Sequence, residues 1–434
     1  MADLTLNPYG TLPSARQLHW HALEYYGFLH FTTNTFTDKE WGYGDESCEI
    51  FNPTEFDADA LAHHAREVGM KGLILTAKHH DGFCLWPTKT TEHSVKQSPF
   101  RGGKGDVVRE MADACRRAKL KFGVYLSPWD RNHPAYGTPE YVNVYRAQLT
   151  ELMTGYGPLF EIWHDGANGG DGYYGGKRET RRIDKTRYYD WPTTWQLIRQ
   201  HQPDAVVFSD AGPDIRWVGN ERGIAGDPCW ATINGEAIYP GKEGVESQLN
   251  HGDRNGTHWI GAECDVSIRP GWFWHEAENG QVKTPQQLME LYFASVGRGA
   301  SLLLNVPPDR RGRWHESDIA ALKEFKTLRD GLFAKPLGRL RKKLWQGDEA
   351  TLTFKQPAAI GVVRVREHLP LGLRVDDWAV DIWENGSWSE WAKGTGIGNQ
   401  RLIQGRVATT EKLRLRITKT AATPCLSELS VFAG

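Results

Sequence analysis

Asp165 lies near the end of the run Leu159-Phe160-Glu161-Ile162-Trp163-His164-Asp165-Gly166, with Trp163 two residues before it and a glycine-rich stretch, Ala167 to Gly176, after it. A carboxylate at the end of a buried strand, with an indole on the same side of the chain, suits a sugar site in which the carboxylate attacks the anomeric carbon. A lone strand-end Asp more often caps the following turn, so the assignment rests on its company. His30, the pair His79-His80, Tyr125, Trp163 and Glu263 all fall at or just past the ends of apolar runs. Polar side chains converging from several apolar strands are hard to explain by packing. Imidazoles donate to and accept from hydroxyls, and an indole face suits the C–H face of a sugar.

Cleaving a glycosidic bond with retention needs a second, protonated carboxyl that assists the leaving group. Two stretches offer one: Glu221 within Arg216-Trp217-Val218-Gly219-Asn220-Glu221-Arg222-Gly223, and Glu263 within Gly261-Ala262-Glu263-Cys264-Asp265. The Gly- and Trp-bearing loop of Glu221 suits a group that reaches over a pocket rim. Glu263, at a strand end, lies deeper, where binding or positioning is an equal reading, and the residues alone leave the two level. His79-His80-Asp81 invites a metal, but adjacent strand residues point to opposite faces and no His-x-His or His-x3-His partner lies nearby. Hydroxyl binding is the better reading, and no metal or cofactor is expected.

Apolar runs at Tyr25–Phe31, Lys71–Ala77, Lys121–Ser127, Leu159–Gly166, Ala205–Asp210, Trp259–Cys264 and Ser301–Val306 read as seven buried strands. Helical patterns over Asp57–Gly69, Asp106–Ala118, Pro139–Gly155, Thr193–His201, Pro285–Gly297 and Glu316–Leu332 alternate with them. Strands too apolar for a solvent face, alternating with helices, are parallel βα units. The fold class is therefore α/β: a (β/α)8-like barrel over residues 1–336, its eighth strand hidden between Gly212 and Asn250. Past Lys335-Pro336-Leu337-Gly338 short strand-like pieces alternate with Gly, Asn and Pro turns, which predicts an antiparallel β-sandwich over 337–434.

The net charge of −2 recommends neither nucleic acid nor an anionic membrane as partner. Eighteen tryptophans exceed what a core of this size needs, in keeping with a sugar ligand. The six cysteines are scattered, without CxxC, and several read as small buried apolar residues. Met1 to Tyr9 lacks the basic and apolar regions of a signal peptide. Nothing in the sequence sets the oligomeric state.

Phe28-Leu29-His30-Phe31, Glu40-Trp41, Ala77-Lys78-His79-His80-Asp81-Gly82-Phe83, Gly123-Val124-Tyr125-Leu126-Ser127, Trp163-His164-Asp165-Gly166 and Ser301-Leu302-Leu303-Leu304-Asn305-Val306-Pro307-Pro308 occur in that order. Together they make the chain resemble, over essentially its whole length, the glycoside hydrolase family 29 α-L-fucosidases. Trp217-Val218-Gly219-Asn220-Glu221 and the stretch from Glu263 to Trp272 look like the subgroup acting on branched α-1,3 and α-1,4 linkages. The resemblance implies a retaining exo-glycosidase acting on fucosylated oligosaccharides or glycoconjugates, with Asp165 as nucleophile and Glu221 as acid/base. It implies fucose-binding roles for His30, Glu40, Trp41, His79, His80, Tyr125 and Trp163; Trp86, Glu263 and Trp272 complete the expected substrate-binding set. It also implies a secreted, periplasmic or apoplastic setting. Two other readings stand beside it: an exo-glycosidase of different sugar specificity on the same scaffold, and a sugar-binding protein without catalysis.

Overall fold

The computed structural model describes residues 6–340 and 344–434, so part of the Met1–Tyr9 segment lies outside it. Eight parallel strands close a barrel in sequence order. They are β1 Tyr25–Leu29, β2 Gly72–Lys78, β3 Lys121–Leu126, β4 Glu161–Trp163, β5 Val206–Ser209, β6 Ile215–Trp217, β7 Gly261–Ser267 and β8 Ser301–Asn305. Every residue of β1, β2, β5, β7 and β8 is buried, the signature of strands covered on both faces. After the short helices Ala15–His21 and Thr33–Thr37, seven more follow in order among the described residues: α1 Ala58–Glu67, α2 Val107–Ala118, α3 Pro139–Gly155, α4 Trp191–His201, α5 Glu246–His251, α6 Pro285–Ala294 and α7 Glu316–Phe333. Asp57 and Asp106 start α1 and α2 by accepting the backbone amides of Ala60 and Arg109, at 3.0 and 2.8 Å.

The hidden strand is β6, inside the expected interval. Only residues 210–214 join it to β5, too few for a crossover helix, so the outer ring is interrupted there. Two layers of apolar packing result. Leu73, Leu75, Val124, Ile162 and Val207 face the helices, whereas Tyr26, Phe28, Ile74, Tyr125, Trp163 and Phe208 fill the barrel. Register puts Tyr125 beside Trp163 and Trp163 beside Phe208. Their rings form a continuous shelf, with centroids 5.2 and 4.0 Å apart.

Beyond α7 the chain forms an antiparallel sheet. Its main strands are β9 Glu349–Glu367, β10 Val375–Glu384, β11 Ser387–Thr395, β12 Arg401–Thr420 and β13 Cys425–Phe432. The expected pieces Ala350–Phe354 and Ile360–Arg366 are one strand, β9, whose pairing with β12 shifts register between Thr353 and Ala358. The sandwich is thus one long, bulged sheet whose two halves share β9 and β12. Apolar side chains from both halves, including Phe354, Val363, Val380 and Leu415, join one cluster. The sheet packs on the barrel through Trp230, Trp259, Leu369 and Leu373 and through the ion pairs Arg366–Glu24, Arg401–Asp227 and Arg254–Asp376. The cysteines are all free thiols, and no helix among the described residues is long and apolar enough to cross a membrane.

The segment 218–252, which carries Glu221, has little regular structure of its own. Arg216, a fully buried residue of β6, organises it. Its guanidinium donates to the carbonyls of Leu249 and Trp230, each at 2.8 Å, and to that of Ile260. Arg216→Met removes these donors and strands three buried carbonyls. We expect a loss on the order of 3 kcal/mol, read as a lower urea midpoint with an unchanged m-value.

Candidate active site

At the C-terminal mouth of the barrel a cavity of about 460 Å³ is bordered by Phe28, His30, Glu40, Trp41, His79, His80, Trp163, Asp165, Glu221, Asp265 and Trp272, with Ala167. A second lobe, about 820 Å³ and open to solvent, continues past Trp163, Asp165, Ala167, Glu221 and Asp265, which border both. Lys185, Asp210, Trp217, Glu243 and Glu246 help to line this outer lobe.

Asp165 sits at the junction of the lobes. Its Oδ2 accepts the Tyr125 hydroxyl at 2.9 Å and its Oδ1 the Ala167 amide at 2.7 Å. Burial raises its pKa, while these two donors oppose the shift by favouring the charged form. Gly166 follows because the Asp210 carboxyl lies against it, and any Cβ there would collide with that group. The Asp210 pKa is pushed up to about 6 by burial and then by the charge of Asp165.

Glu221 stands on the rim as an exposed residue, its Oε2 accepting the Trp272 indole N–H at 3.3 Å. Partial burial, then the charges of Asp165 and Glu40, raise its pKa against that hydrogen bond. Trp272 is itself held through its backbone: its amide donates to Glu40 at 2.8 Å, and its carbonyl accepts from Asn305 Nδ2 at 2.7 Å. Glu40 also accepts the Phe273 amide at 3.1 Å and contacts His275 Nε2 at 2.7 Å. Burial alone would lower the His275 pKa, but hydrogen bonds to Glu40 and Asp38 raise it overall.

Donor accounting fixes two imidazoles. Asn305 uses its Nδ2 on Ser267 and Trp272, so its Oδ1 faces His30 Nδ1 at 2.9 Å and that nitrogen carries the proton. The Ser127 hydroxyl donates to the Trp129 carbonyl at 2.7 Å, so it accepts from His80 Nδ1, also at 2.7 Å. Both rings therefore keep an unprotonated Nε2 as acceptor. The His80–Asp165 approach of 3.9 Å accordingly joins a neutral ring to the carboxylate. His30 and His80 have pKa values lowered to about 3, foremost by burial, and burial likewise lowers that of His79.

The family model for alpha-L-fucosidases matches residues 12–327. The chain belongs to the alpha-L-fucosidase family. Alpha-L-fucosidase 1 of Arabidopsis thaliana is 40% identical over 97% of this chain and 87% of its own length. Among solved structures, a glycoside hydrolase 29 family member from an unknown rumen bacterium is 44% identical, covering 98% of this chain and 78% of that one, with a TM-score of 0.93. A Ruminococcus gnavus GH29 fucosidase in complex with fucose is 28% identical over 100% of this chain and 97% of that one, with a TM-score of 0.89. The chain is thus an α-L-fucosidase, a glycoside hydrolase whose substrates are fucosylated glycans.

In this fucosidase most of the residues singled out from sequence line one cavity, and three, Trp86, Glu263 and Tyr125, do not. Trp86 is a correction: its indole is buried in the layer between strands and helices, where its N–H donates to Glu151 at 2.8 Å. Glu263 is a second. Strand β7 runs on to Ser267, so Glu263 lies inside the barrel beneath the pocket. There it accepts the Trp163 indole N–H at 2.8 Å and the Tyr26 hydroxyl. Tyr125 lies just behind the cavity wall as the Asp165 donor. Asp81 faces away, accepting from Thr32 and Thr33 at 2.7 and 2.6 Å and from the Phe83 amide at 3.0 Å. His164 packs outward on Trp191 and pairs with the Tyr145 hydroxyl at 2.7 Å.

Asp210, Asp265 and Asn305 were not singled out, though each carried a readable signal. Asp210 follows the β5 strand, Asp265 shares the inward face of β7 with Glu263, and Asn305 ends β8. The tautomer assignments are directly testable. Long-range 1H–15N spectra should show His30 and His80 protonated at Nδ1 and not titrating between pH 7 and 5; a titration midpoint near 6.5 for either ring contradicts the arrangement.

Proposed function

We propose that this fucosidase is a retaining exo-enzyme acting at the non-reducing end by double displacement, with Asp165 as nucleophile and Glu221 as acid/base. The observation that carries the reading is that both carboxyls border both lobes. A fucoside with its sugar in the inner lobe and its leaving group in the outer one presents the scissile bond between them. Asp165 attacks the anomeric carbon and Glu221 protonates the departing oxygen; Glu221 then takes a proton from the water that releases fucose.

The electrostatics suit both steps. The donors on Asp165 favour its charged form against burial, and that charge raises the pKa of Glu221. Forming the fucosyl ester removes that charge, so the Glu221 pKa falls just when it must act as base. His30, His79, His80 and Trp41 hold the fucose hydroxyls, and Trp163 lines the pocket with its ring. Phe28, Trp163 and Trp272, with ring centroids 5.3 and 6.5 Å apart across Phe28, give the C6 methyl an apolar wall. The wide outer lobe and the 217–221 and 263–272 stretches favour branched α-1,3 and α-1,4 substrates. A secreted, periplasmic or apoplastic setting belongs to the same reading, and cell fractionation checks it.

Azide products test the pair. Asp165→Gly should lose about 10³-fold or more in kcat on an aryl fucoside while staying folded, and with azide should yield β-fucosyl azide. Glu221→Ala should instead yield α-fucosyl azide, because azide then meets the inverted fucosyl-enzyme. If Glu263→Ala gives the α-azide and Glu221→Ala does not, the acid is wrongly assigned.

The pH profile of kcat/KM should be bell-shaped. Its acidic limb should lie above the ordinary Asp value of about 3.9, because the raised Asp165 pKa must be exceeded for attack. The basic limb should belong to Glu221 and vanish in Glu221→Gln. Across α-1,2, α-1,3, α-1,4 and α-1,6 fucosides, equal rates would remove the linkage preference.

A further inference from the structure

Asp265 takes no part in the mechanism above, yet it borders both lobes at their junction. It is 4% exposed, and its buried Oδ1 meets no hydrogen-bond partner among the described residues. Leaving such an atom unpaired is costly, which makes it a group awaiting a ligand. Its neighbours at the mouth differ. Asp165 has two donors, Glu221 has the Trp272 indole, and Glu40 has two backbone amides and His275. On β7 the next inward residue below, Glu263, is paired with Trp163 and Tyr26, and the next above, Ser267, donates to the Gly271 carbonyl at 2.7 Å.

We propose that Asp265 is a substrate-contacting residue of the reaction, exchanging hydrogen bonds with a sugar hydroxyl beside the scissile bond. The proposal rests on the reading that places that bond between Asp165 and Glu221. The charged groups that bear most on Asp265 are Glu221, Glu263 and Asp165, all acidic, and Lys185 and Lys242 line the outer lobe. Burial, then Glu221 and Glu263, push its pKa well above the ordinary carboxylate range. These surroundings favour the neutral carboxyl, which donates through O–H and accepts through C=O without adding charge beside the nucleophile. A hydroxyl meets both needs at once, being donor and acceptor.

Asp265→Ala and Asp265→Asn should be assayed on an aryl α-L-fucoside and on an α-1,3- or α-1,4-fucosylated trisaccharide. We expect Asp265→Ala to lower kcat/KM about 10- to 100-fold on the trisaccharide, and Asp265→Asn, neutral and bifunctional like the acid, to recover at least half of that loss on a logarithmic scale. A larger loss on the trisaccharide places the hydroxyl on the leaving group; an equal loss places it on fucose. The proposal is overturned if Asp265→Ala stays within about twofold of wild type on both substrates, or if Asp265→Asn falls as far as Asp265→Ala, which would make negative charge the essential property. Urea midpoints identify a folding defect, and Asp265→Ser then replaces the alanine variant. The azide products from Asp165→Gly and Glu221→Ala report on the catalytic pair separately, so silent Asp265 variants with the expected azides sink this inference alone.

Discussion

The Glu40 carboxylate accepts the backbone amides of Trp272 and Phe273 and pairs with His275, and the placement of the rim acid depends on that clamp. Trp272 is gripped from three directions: its amide by Glu40, its carbonyl by Asn305, and its indole N–H by Glu221. Asn305 in turn orients His30. One loop tryptophan therefore joins the loop after the first barrel strand, the last barrel strand and the segment bearing Glu221. Disturbing any of these hydrogen bonds would be felt on both sides of the sugar pocket.

A second constraint is the sign of the charges. The mouth holds several carboxyls, and its three pocket imidazoles are kept neutral by burial. Neutral rings serve a sugar better than cations would. In His30 and His80 the unprotonated Nε2 is free to accept a hydrogen bond, and no cationic ring stands beside Asp165. Below the pocket Glu263 holds the Trp163 ring on its shelf with Tyr125 and Phe208, so an interior acid acts here through the orientation of an aromatic wall.

Much of this was legible in the sequence because barrel strands are covered on both faces and read as continuous apolar runs. Strand β6 hid because it is three residues long and no helix separates it from β5. The phase of β7 was misjudged for a related reason. Ending it at Cys264 made Glu263 a strand-end residue, whereas the observed end at Ser267 moves Asp265 to the cavity. Trp86 follows the conspicuous His79–Phe83 motif closely, but the chain has already turned back into the helix layer, which adjacency in sequence does not reveal. In the C-terminal sheet the register shift between Thr353 and Ala358 splits β9 into two apolar stretches that read as separate strands.

The interface between barrel and sheet acquires a meaning from what it touches. Asp227 and Trp230 belong to the segment carrying Glu221, and they are fastened to the C-terminal sheet by Arg401 and by Leu369 and Leu373. Asp165 follows strand β4, inside the barrel's own framework. The two carboxyls thus have different foundations: one is set by the barrel alone, the other by how two separately packed bodies meet. Sequence drift in the distant sheet can therefore shift where Glu221 stands over the pocket while Asp165 stays where it was.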